Sequence, residues 1–89
     1  MELPLMTPGE IQTMLESQLH DCSATVVSDD NTHFEATVIS EAFDGKRPLQ
    51  RHQMVYSALG DKIGGDIHAL SIQAFTPKEW QQRTSSAST

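Results

Sequence analysis

Cysteine is almost missing from this 89-residue chain, which has only Cys22. One thiol excludes an intrachain disulfide framework and any metal site built from two or more cysteines of this chain. No run of about 18 apolar residues occurs, so no membrane-spanning helix is expected. Basic residues are scarce, six Lys and Arg against twelve Asp and Glu, giving a net charge of −6. Nucleic-acid binding draws much of its strength from phosphate neutralisation, so this balance disfavours it. Aromatics are few as well, and Phe34, Phe43, Tyr56, Phe75 and Trp80 mostly fall where a core needs them, leaving little for base stacking. The familiar catalytic patterns HExxH, CxxC, GxSxG and the phosphate loop are all missing. Without a nucleophile–base pair, the chain is read as having no catalytic chemistry of its own.

The length is that of one domain. A domain this small buries about 60–65% of its unfolded surface, so nearly every periodic apolar position is needed for the core. That leaves no room for a large internal cavity. The opening MELPLMTPGE carries Glu2 and neither a basic start nor a long apolar stretch. A signal peptide is therefore not expected, and a reduced, cytoplasmic setting is.

The elements follow from local chemistry. Thr7-Pro8-Gly9-Glu10 has the form of a capping box, and Ile11, Met14, Leu15 and Leu19 repeat at helical spacing, so residues 8–20 are expected as an amphipathic helix. Residues 23–28 are short and β-branched. Residues 33–40 alternate, with Phe34, Ala36 and Val38 on one face. With the turn cluster Asp29-Asp30-Asn31 between them, they form a hairpin. Gly45 closes this unit as a structural turn glycine. Pro48 then opens a helix over 48–59, with Leu49, His52, Val55, Tyr56 and Leu59 at helical spacing. Residues 67–75 read as a third strand. Thr76-Pro77-Lys78-Glu79 repeats the capping box and opens a short last helix carrying Trp80. Residues 1–83 are thus one domain, and 84–89 a polar tail expected to be disordered.

The order αββαβα gives an α+β fold, a three-stranded mixed sheet packed with helices. A helix joins the second and third strands, which implies a parallel pair if they share one sheet. Parallel strands start at the same end, which would bring His33 and His68 toward one rim. Neutral imidazole is a good transition-metal ligand. Two histidines alone make an incomplete site, so either an acid such as Asp30 or Glu35 completes it, or a partner does. Strand alternation places His68 with Leu70 and Ile72 but His33 with Glu35 and Thr37. The pair therefore works best if His33 belongs to a mobile loop, 29–33. The bland alternative makes His33 a solvated residue and His68 a hydrogen-bonded strand residue. His52, on the apolar stripe of its helix, is read as structural, and His20 as a neighbour of the first helix's last carbonyls. Lys46, Arg47 and Arg51 crowd a helix N-terminus and are candidates for a nucleic-acid or acidic-partner contact.

The segments VISEAFDGKRPLQRHQMVYSALGDKI and IHALSIQAFTPKEW resemble the BolA family, especially its short bacterial members. Phe43-x-Gly45, Arg51-His52, Val55-Tyr56, Ile67-His68-Ala69 and Thr76-Pro77-x-x-Trp80 carry the likeness, which runs from about Thr32 to Trp80. The resemblance implies an αββαβα fold similar to class II KH domains. It implies a monothiol glutaredoxin as partner and a bridging [2Fe-2S] cluster shared with it and with glutathione, with none expected in the isolated chain. By the same resemblance His68 is the principal metal ligand, and His33 takes the place of the second ligand in the histidine-loop subgroup. Roles in iron–sulfur trafficking, iron sensing and stress response follow. The alternative it implies is a transcription regulator binding DNA through the FDGKRPLQRH segment.

Overall fold

The computed structural model describes residues 7–30, 32–62 and 69–87. Its main elements are α1 (Pro8–Gln18), β1 (Cys22–Val27), β2 (His33–Ser40), α2 (Pro48–Leu59), β3 (Ala69–Phe75) and α3 (Pro77–Ala87). The order is the expected αββαβα. The sheet order is β1-β2-β3, with β1 antiparallel to β2 and β2 parallel to β3, so the sheet is mixed.

Both TPxE segments are capping boxes. Thr7 N–H donates to Glu10 and Glu10 N–H to the Thr7 hydroxyl, and Thr76 and Glu79 repeat this at the start of α3. Before α2, Gly45 takes φ +75° in the tight turn where Lys46 N–H donates to the Phe43 carbonyl at 3.0 Å. A side chain there would be strained, so the turn favours glycine. The last expected helix is longer than foreseen. α3 continues through Ala87, past the boundary at 83 where a disordered tail was expected. No Gly or Pro interrupts it, and Ser and Thr carry only a modest helical penalty.

Strand alternation sorts the sheet into two faces. Ala24 and Val26 of β1, Phe34, Ala36 and Val38 of β2, and half-buried Leu70, Ile72 and Ala74 of β3 belong to the core that Ile11, Leu15, Phe43, Val55 and Leu59 complete. The opposite face carries Thr25, Glu35, Thr37, Ser71 and Gln73 and is largely polar. The outer edge of β1 is closed by its own helix: Ala24 N–H donates to Glu16 at 3.1 Å and Val26 N–H to Gln12 at 3.0 Å. Unpaired edge amides are templates for aggregation, and these two are blocked.

One arginine joins the second half of the chain. Arg51 of α2 donates to both carboxylate oxygens of Glu79, at 2.7 and 3.1 Å, and to the carbonyls of Lys46 and Ala74. Its side chain is only 13% exposed. Arg51, expected as a free basic contact, therefore ties α2, β3 and α3 together through four hydrogen bonds inside the protein. Glu79 accepts from Arg51 and from the Thr76 amide, which holds its carboxyl down at about 2 instead of 4.5. A depressed carboxyl contributes stability above its unfolded value and loses it as pH falls through the folded one. Wild type should thus lose stability between pH 4.5 and 2 more steeply than Glu79→Gln, as followed by urea unfolding. Parallel curves for the two proteins would contradict this role.

Candidate functional site

The parallel register opens with His33 beside Ala69, and Ala69 N–H donates to the Thr32 carbonyl at 3.3 Å. His68, the residue before Ala69, lies outside the described residues. So do Ile67 and the glycine pair 64–65, together with the first two residues of the expected third strand.

His33 is the first residue of β2, not part of a free loop. It lies on the polar face with Glu35, as alternation required. Ser28, Asp30 and Thr32 of the loop before it are hydrogen-bonded. Asp30 Oδ1 accepts from the backbone amides of Thr32 and His33, each at 2.9 Å. Asp30 Oδ2 meets His33 Nδ1 at 3.0 Å, and the Ser28 hydroxyl donates to the His33 carbonyl at 2.6 Å. These bonds favour the ionised carboxylate and push the Asp30 carboxyl far below its ordinary range. The His33 side chain stays 74% exposed. Among the described residues, only Asp30 bonds its ring. A carboxylate accepts and does not donate, so the proton of the neutral imidazole belongs on Nδ1 and the lone pair on Nε2. An exposed, oriented lone pair is what a metal ligand needs.

Both oxygens of Asp30 are thus hydrogen-bonded, Oδ1 to the two amides and Oδ2 to the ring. Glu35 shares the face, across from Ser71. A cleft of about 340 Å³ at this end is lined by Val27, Asp30, His33, Glu35, Ala69 and Ser71. No group of three or more potential metal ligands occurs among the described residues. The larger groove, about 580 Å³, lies between α1 and α2 around Leu19, Lys46, Gln53 and Met54, and among the described residues its one charged lining side chain is Lys46. Cavity size does not follow the chemistry here.

The other candidates sit elsewhere. Lys46 and Arg47 are exposed and adjoin the far end of the sheet, where Ile39 pairs with Phe75. His52 is half-buried on α2, in keeping with a packed residue. His20 Nε2 meets Asp21 at 3.2 Å instead of the helix carbonyls. Cys22 pairs with Ser40, seven residues along β2 from His33, a separation of roughly 23 Å.

Fold and site together define a small α+β domain that presents an exposed histidine at one end of its sheet. The family model described as "BolA-like protein" matches residues 5–79, and the chain belongs to the BolA family. It is similar to the DNA-binding transcriptional regulator BolA of Vibrio cholerae, 40% identical over 75 residues that cover 84% of this chain and 67% of that one. It is equally similar to the acid stress protein IbaG of Escherichia coli, 40% identical over 76 residues, 84% of this chain and 89% of that one. The solved structure of a BolA homologue from Coxiella burnetii superposes with a TM-score of 0.73 at 40% identity, covering 85% of this chain and 97% of that one. Against the human, mouse and bovine BolA-like protein 1, the chain spans only 38–53% of their length. None of these names denotes an enzyme. No helix of the described residues is long and apolar enough to cross a membrane.

Burial, followed by the charge of Glu16, pushes the Cys22 thiol up to about 11 from 9.0. Alkylation of Cys22 by iodoacetamide at about pH 8 should therefore run roughly 100-fold slower in the folded than in the urea-unfolded chain. Equal rates would show that the thiol is available after all.

Proposed function

We propose that this protein is a non-enzymatic adaptor. It pairs with a monothiol glutaredoxin and shares a bridging [2Fe-2S] cluster with that partner and its glutathione, in iron–sulfur trafficking or iron sensing. The observation that carries this reading is the exposed His33 imidazole. Its Nδ1 is engaged by Asp30, its Nε2 is left to ligate, and its backbone is in register with the residue after His68. Membership of the BolA family supports it.

The chemistry of His33 supports such a group. A neutral, oriented imidazole suits iron, and an open rim admits the partner that an incomplete site requires. His33 and His68 would hold one iron. Two imidazoles in place of two thiolates raise the cluster's reduction potential and lower its negative charge. Because imidazoles also titrate and exchange comparatively readily, the arrangement suits sensing or transfer better than storage. Co-expression with a monothiol glutaredoxin should give a coloured heterodimer. His68→Ala should strip or destabilise the cluster, and His33→Ala should change its visible spectrum or lability more mildly. An unchanged spectrum in His68→Ala would sink the cluster reading.

A second reading is DNA binding, favoured by the name of the Vibrio cholerae relative. Here it rests on exposed Lys46 and Arg47 alone, since Arg51 is engaged within the fold. Neutralising both residues should weaken any DNA binding and reduce the slope of log affinity against log salt by about 2. Binding that is indifferent to the double substitution would retire this reading.

A further inference from the structure

We infer that Asp30 is a positioning residue that makes Nε2 of His33 the ligating atom, by holding the ring in its Nδ1–H tautomer. The inference rests on the reading of His33 as a metal ligand and extends it to a residue that ligates nothing.

The geometry supports it in two steps. First, the carboxylate is fixed independently of the ring. Oδ1 takes the amides of Thr32 and His33, each at 2.9 Å, which orients the carboxylate plane within the turn. Second, that orientation directs Oδ2 at Nδ1, 3.0 Å away. A free imidazole in water favours the proton on Nε2, which would block the more accessible nitrogen. An acceptor-only neighbour at Nδ1 reverses this preference. The ring is 74% exposed, and among the described residues the Asp30 bond is the contact that defines its rotamer. A carboxylate behind a ligating imidazole also strengthens its donor nitrogen, and losing such a partner costs 10–100-fold in metal affinity elsewhere.

Asp30→Asn separates orientation from tautomer. The amide oxygen can still accept from the Thr32 and His33 amides and preserve the turn, while the amide nitrogen would donate to Nδ1 and drive the proton to Nε2. The test uses the full chain labelled with 15N-histidine, with ring nitrogens read by long-range 1H–15N correlation at neutral pH. Wild type should show His33 as the Nδ1–H form and Asp30→Asn as the Nε2–H form, with the backbone amide spectrum otherwise preserved. With a monothiol glutaredoxin, glutathione, iron and sulfide, the reconstituted cluster of Asp30→Asn should be lost about 10-fold or more faster than that of wild type. An Nε2–H ring in wild type, or the same tautomer in both proteins, overturns the inference. So does a variant cluster as durable as wild type while His33→Ala weakens it. If His33→Ala itself leaves spectrum and lability unchanged, the ligand reading fails instead, and the tautomer result still decides what Asp30 does to the ring.

Discussion

Parallel pairing of β2 with β3 is the constraint from which the rest follows. It forces the chain to return along the helical layer through α2 before β3 can begin, and Val55 and Leu59 of α2 join the core on that face. It also gives the sheet two chemically different ends. At one end His33 stands beside Ala69. At the other, Ile39 meets Phe75, and the turn carrying Lys46 and Arg47 leads into α2. The two functional readings thus belong to opposite ends of one molecule and do not compete for the same residues.

Several polar side chains in this small domain are engaged by its own backbone. Glu16 and Gln12 close the outer edge of β1, Arg51 takes two carbonyls and a carboxylate, and Asp30 takes two amides and a ring nitrogen. With so little interior volume, a chain of this length cannot depend on apolar burial alone, and such bonds orient its elements. The consequence for function is selective. Arg51 is withdrawn from the surface it was expected to serve, whereas the bonds of Asp30 leave His33 exposed and define how it faces outward.

Local signals in the amino-acid sequence were sufficient where the physics is local. The bounds of β2 and α2 coincide with the expected 33–40 and 48–59 because a turn cluster, Pro48 and Gly60 punctuate them. Both TPxE boxes form, since a cap needs only residues three apart. The role of Asp30 was within reach of the same logic: an aspartate three residues before a histidine, in a turn, is placed to bond both backbone and ring.

The sequence by itself determined the order of elements, the mixed sheet and the family likeness, because capping, periodicity and alternation act over a few residues. Only the tertiary structure decided which polar groups are free. Arg51 meets Glu79 twenty-eight residues away, and Glu16 meets Ala24 across a turn. Such pairings depend on how whole elements pack, and no spacing rule encodes them. Whether a charge is left for a partner is settled only once the layers have closed around it.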